Sequence, residues 1–214
     1  DVITFTAIIT DRAGNPTTGT QSATALTVDQ TVPTVNAGGD KIVNAMTMQD
    51  ATTSDGGSGL NTYAWTQTVG GGVITFSNQS GTTPTVDPDT NITATTDEVY
   101  TLRLTVTDIA GNSASADIAF VWDTTAPTVI LSSSTADPTN GFIFVVAQFS
   151  ETVTGFDATD IVIGIGSGAV DSFVAVDGDT YNFNVDPTDG ASVAVTIDVP
   201  MATSVDAAGN ANIA

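Results

Sequence analysis

The 214 residues contain no histidine and no cysteine, and only Arg12, Lys41 and Arg103 carry positive charge. Without histidine there is no conventional Ser-His-Asp or Cys-His nucleophilic site. A zinc site would lack both of its preferred ligand types, and no disulfide can staple the fold. No run approaches 18 consecutive apolar residues, so direct membrane insertion is not expected. No signal peptide is visible at the start, and no segment reads as an amphipathic helix. The glycines of "VGGGV" (69–73) lack the lysine and following helix that a phosphate-binding loop requires. The expectation is that the chain is not an enzyme.

Acidic residues number 24, for a formal net charge of -21. Phosphate recognition needs basic side chains, so nucleic acid is excluded as a partner. Such a charge also keeps chains apart and strains the compact state. Bound divalent cations would offset that strain, and so would external salt. Disorder is a poor reading, because the chain is 41% hydrophobic and its apolar residues are ordered by period.

That period is two. Ile3, Phe5, Ala7 and Ile9 share one face, as do Tyr63 and Trp65. Tyr100, Leu102, Leu104 and Val106 form a third set, and Ile118, Phe120 and Trp122 a fourth. Tyr181, Phe183 and Val185 follow, then Val193, Val195, Ile197 and Val199. These patterns predict half-buried strands separated by turns of Gly, Asp, Asn, Pro and Ser. In the middle of the chain strands are expected near 41–47, 61–67, 73–76, 84–87, 99–107 and 115–122. In the last part they are expected near 128–134, 142–149, 160–165, 170–176, 180–186 and 192–199. Trp65, Phe120, Trp122 and Phe144 read as core residues. The fold class is all-β, in tandem β-sandwiches.

Two repeats punctuate the chain. "DQTVPTV" (29–35) and "DTTAPTV" (123–129) read as linkers, because Pro33 and Pro127 extend the backbone and interrupt pairing. They divide it into residues 1–30, 31–124 and 125–214. The first part holds two strands, which resemble the end of a preceding unit or act as donor strands. The second is a complete sandwich, and the third lacks most of its final strand. Unpaired ends suit a fragment of a longer array, or a homo-oligomer joined by strand exchange. The other repeat is a hexapeptide: "TDRAGN" (10–15), "TDIAGN" (107–112) and "VDAAGN" (205–210).

The segments "VNAGGDKIVN" (35–44), "YAWTQTVGGGVITFSN" (63–78) and "VYTLRLTVTDIAGNSASADI" (99–118) resemble polycystic-kidney-disease-like and related Ig-like repeats of bacterial surface proteins. "TAPTVILSSS" (125–134), "FSETVTGFDATDI" (149–161) and "VDAAGN" resemble the bacterial Ig-like repeats of large adhesins. The resemblance implies tandem Ig-like sandwiches in a rod outside the cell or on its surface, with calcium near the junctions. It also implies neighbouring Ig-like domains, of the same or an adjacent chain, as partners.

In such a sandwich the hexapeptide turn lies at the end facing the preceding unit, as does the linker. Asp108 and Asn112 should then meet Asp29, and Asp206 and Asn210 should meet Asp123. Glu151 lies on a turn at the same end. In "TSDGGSGLNTY" relatives often carry more acid, leaving Asp55 as the ligand that loop offers. Calcium takes six to eight hard oxygens, which carboxylates, amides and main-chain carbonyls supply. A second reading stays open: Asp-x-x-Gly-Asn is also a good turn, closed by side-chain bonds to main-chain amides. "VDPDTN" (86–91), "VDGDTY" (176–181) and "DPTDG" (186–190) are weaker ligand candidates. The expected function is a calcium-stiffened extender of an extracellular adhesin or surface protein. The alternatives are a filament or S-layer subunit joined by strand complementation, and a glycan- or protein-binding module.

Overall fold

A computed structural model describes residues 2–3, 8–18, 26–77, 88–188 and 194–214, with the side chains of residues 2, 3, 17, 18, 26 and 165 excepted. Near the N-terminus lie β1 (Val2–Ile3), β2 (Ile8–Thr10), β3 (Pro16–Thr18) and β4 (Leu26–Thr27). β1 pairs antiparallel with β4, and β2 with β3 across the first hexapeptide turn. Ile9 is exposed, so the alternation expected to bury it does not do so. Phe5 and Ala7 lie outside the described residues.

The middle of the chain runs through β5 (Thr34–Asn36), β6 (Lys41–Val43), β7 (Thr47–Gln49), β8 (Thr52–Ser54) and β9 (Leu60–Val69). It continues with β10 (Ile74–Ser77), β11 (Thr90–Ala94), β12 (Glu98–Asp108) and β13 (Ser113–Trp122). One sheet has the order β6-β13-β12-β9, the facing one β10-β11-β7, and β5 pairs with β8 beside them. The alternation of β12 is executed in full: Tyr100, Leu102, Leu104 and Val106 are buried, while Arg103 faces out and pairs with Asp117 at 2.7 Å. Trp65, Ile92, Ile118 and Phe120 complete this core, with Trp122 against its rim. Tyr100 points its hydroxyl to the Thr96 carbonyl at 2.7 Å, so the buried phenol keeps a partner.

Two local expectations change. The strand expected over 41–47 is two strands, because the chain turns at 44–46 and crosses between sheets. β6 pairs parallel with β13, and β7 antiparallel with β11. "VDPDTN" ends in a strand, β11, whose Ile92 is fully buried. Its Asp89 accepts the Ala51 N–H at 2.6 Å. The strand expected at 84–87 lies outside the described residues.

The last part comprises β14 (Val129–Ser132), β15 (Ile143–Phe149), β16 (Val162–Ile165), β17 (Gly168–Ala175), β18 (Thr180–Pro187) and β19 (Thr196–Asp198). A four-stranded sheet β14-β15-β18-β17 faces the pair β16-β19. Between them Phe149, Phe156, Tyr181 and Phe183 pack, the first three edge to face at 5.0–5.8 Å. Phe144 is a correction: it is 37% exposed rather than in the core. "FIFVVAQF" is apolar at both parities, and the register that buries Val145, Ala147 and Phe149 turns Phe144 outward. The single helical piece among the described residues is a 3-10 turn, Ala158–Asp160, capped by Asp157. The chain is thus all-β, with tandem Ig-like β-sandwiches, and its elements place both hexapeptide turns 107–112 and 205–210 against the linkers.

Candidate metal centres at the linkers

The three hexapeptide turns are built alike. In each, the aspartate N–H donates to the asparagine carbonyl four residues on, at 2.9–3.1 Å. The asparagine returns two bonds to the aspartate side chain: its N–H to Oδ1 at 2.8–2.9 Å, and its Nδ2 to Oδ2 at 2.8–3.0 Å. The intervening glycines, Gly14, Gly111 and Gly209, have φ of 83°, 95° and 92°, a region that side chains disfavour. The turn reading is therefore realised in all three copies.

In the second and third copies the asparagine does more. Nδ2 of Asn112 also donates to the carbonyl of Asp29 at 3.2 Å, and Nδ2 of Asn210 to the carbonyl of Asp123 at 2.9 Å. Each amide ties a linker to the hairpin behind it. Both asparagines thus turn their nitrogens, not an oxygen, toward the aspartates they accompany.

The tether brings carboxylates together. Asp29, Asp55 and Asp108 each offer an oxygen within 4.8 Å of the others, and so do Asp123, Glu151 and Asp206. Asp108 and Asp206 are buried, and the other four are half-buried. In each triad one member comes from the linker, one from the hexapeptide turn, and one from the chain just after a strand, β8 or β15. Asp29, Asp55, Asp108, Asp123, Glu151 and Asp206, the acidic residues expected at the linkers, all fall in these two groups. Either group could hold a metal ion. Asp177 is spent on its own turn, accepting from the N–H groups of Asp179 and Thr180.

The two triads differ electrostatically. Asp29 is held down to about 2 by the Ser58 hydroxyl, then by the N–H groups of Thr31 and Ser58. Glu151 is pushed up, first by burial and then by the negative charges of Asp123 and Asp206. In the first triad Oδ2 of Asp55 accepts from Gly57 at 3.0 Å and Gly59 at 2.7 Å, while its Oδ1 is buried without a hydrogen-bond partner. A buried acceptor left so is costly unless something else meets it. A Cβ at Gly57 would overlap the Asp29 carboxylate, so only glycine lets that side chain lie across the loop.

The sequence did not single out Ser58, which donates its N–H to Asp29 at 2.5 Å and accepts the Ala110 N–H on its Oγ at 3.1 Å. Its only signal was its place inside a glycine-rich loop. Asn44 and Asp97, which contact the second junction from the middle sandwich, gave no signal either.

Residues 37–121 match a family model described as a PKD domain, and residues 123–214 match one described as a bacterial Ig-like domain. The chain carries tandem PKD-like and Ig-like repeats. These are non-catalytic modules of extracellular and cell-surface proteins. Among solved structures, similarity is found to the extracellular domain of protocadherin GammaB4, with 15% identity, a TM-score of 0.42, and coverage of 96% of this chain and 36% of that one. Domains 4–9 of the surface layer protein SbsC match at 12% identity and a TM-score of 0.28, covering 93% of this chain and 33% of that one. The chain therefore spans about a third of the length of these structures. No curated protein matches. Among the described residues no helix is long and apolar enough to cross a membrane.

Proposed function

We propose that the tandem repeats form an extender segment of an extracellular adhesin or surface protein, stiffened by calcium at the two linkers. The observation that carries this reading is the duplicated triad. Two groups of three carboxylates occupy equivalent places 94–98 residues apart, each drawing one member from a linker and two from the sandwich behind it. Three carboxylates this close repel one another, and the raised Glu151 registers burial first and that repulsion second. A hard divalent cation would reverse the sign of the interaction and hold the linker against the hairpin.

Calcium suits the donor set better than magnesium. The oxygens come from three separate stretches of chain, and main-chain carbonyls and water can complete a shell of six to eight. Zinc lacks nitrogen and sulfur donors here. Asp29, Asp55 and Asp108 would hold one ion, and Asp123, Glu151 and Asp206 the other. The partners implied are neighbouring sandwiches of the same array.

The test is calorimetric melting in calcium, in chelator, and in sodium chloride matched to the ionic strength of the calcium sample. At calcium a hundredfold above its dissociation constant, linkage stabilises the folded chain by about 2.7 kcal/mol. For units of this size that is a rise on the order of 10 °C. An equal rise with sodium chloride would overturn the reading in favour of general screening.

A further inference from the structure

Asn44 sits in the turn after β6, at the end of the middle sandwich next to the second linker. Its Nδ2 donates to Oδ1 of Asn210 at 3.0 Å, across 166 residues of sequence. Asn210 is the residue whose own Nδ2 holds the Asp123 carbonyl and Oδ2 of Asp206. One planar amide thus touches the preceding sandwich, the linker and a carboxylate of the triad at once.

Among the described residues, the other hydrogen bonds of the middle sandwich at this junction run to the linker. The Val43 carbonyl accepts the Asp123 N–H at 3.0 Å. The Asp97 carboxylate accepts the hydroxyls of Thr124 and Thr125 at 2.9 and 2.7 Å. These bonds fix where the linker leaves the middle sandwich, and Asn210 holds the same Asp123 from the other side through its carbonyl. Asn44 adds a second point of attachment beside that residue, because it binds the hairpin of the following sandwich directly. Asn44 cannot accept its role from the other side: Asn210 has both of its nitrogen bonds committed, so only its oxygen is presented, and only a donor satisfies it.

We infer that Asn44 is a positioning residue that locks the angle between the two sandwiches by donating to Asn210, and so passes the order of the Asp123–Glu151–Asp206 group back to the preceding unit. The dependence of that order on an ion rests on the calcium reading above, whereas the latch itself does not. A carboxylate at position 44 would place oxygen against oxygen and open the junction while keeping the side chain's size.

The chain has no cysteine, so the pair Ser115→Cys and Val174→Cys, both at exposed positions, gives clean sites for spin labels. Distance distributions between them would be recorded for the otherwise unchanged chain, for Asn44→Asp and for Asn44→Ala, each in calcium and in chelator, with calcium stoichiometry measured by titration calorimetry. The expected result is one narrow distribution with Asn44 present, and a broadened one in both variants even in calcium, with stoichiometry unchanged in Asn44→Ala. If both variants stay as narrow as the parent while calcium still binds, the latch is wrong and the calcium reading survives. If calcium does not bind at all but the variants still broaden, the calcium reading fails and the latch stands.

Discussion

Replacing Glu151 with glutamine should act in opposite directions with and without calcium. Its carboxylate lies within 4.8 Å of those of Asp123 and Asp206. Two unit charges at that distance repel by about 1 kcal/mol in a water-like medium and about 3.5 kcal/mol at an effective dielectric of ~20. Glu151 is half-buried, so the screened end applies; the two pairs sum to about 2 kcal/mol, which salt screens to roughly 1 kcal/mol of relief. In chelator, Glu151→Gln should therefore raise the melting midpoint of the last sandwich by roughly 4–8 °C. In saturating calcium the same change removes a charged ligand. A tenfold loss of affinity corresponds to about 1.4 kcal/mol and lowers the midpoint relative to the parent. Differential scanning calorimetry of the two chains in both buffers reads the crossing. If the variant melts on the same side of the parent in both buffers, the triad does not share an ion and the reasoning is refuted.

Gly57→Ala adds a methyl group where the Asp29 carboxylate lies; calcium stoichiometry should fall by one ion while circular dichroism and the cores stay unchanged. Asp206→Ala removes the acceptor of the Ala208 and Asn210 N–H groups and of the Asn210 amide. It should destabilise the last sandwich by about 2–3 kcal/mol in chelator as well as in calcium, at about 1 kcal/mol per bond lost, measured by urea denaturation. The two triads should also respond oppositely to acid when no ion is present. Asp29 is lowered, so its stabilisation is full above the ordinary aspartate value of 3.8 and disappears as pH falls toward 2. Glu151 is raised above its ordinary value of 4.5, so the folded chain takes up its proton first, and stability from this group increases as pH falls through that raised range. Melting in chelator between pH 7 and pH 3 would check both signs.

The legible parts of the fold were those written in a short period. A strand with one apolar face, such as β12, declares its register, because a slip by one residue would bury Arg103 and expose Leu102 and Leu104. The hexapeptide was legible for the same reason: its bonds run between residues two to four apart, so the turn closes locally wherever the letters occur. β15 shows the limit. Apolar residues at both parities leave two registers open, and the facing core chose the one that exposes Phe144. β11 shows another, since the acidic letters before Ile92 masked a strand whose identity comes from pairing with β7 and β10.

Local sequence thus settled the all-β class and the closed hexapeptide turns, because those properties depend on neighbours along the chain. Tertiary structure alone decided that Ser58 would hold Asp29, that Asp55 would keep one buried oxygen unpaired, and that Asn44 would meet Asn210 across 166 positions. Such contacts join residues with no pattern between them. The first two exist only once the middle sandwich has closed on its own linker, and the third only once two sandwiches have been brought end to end.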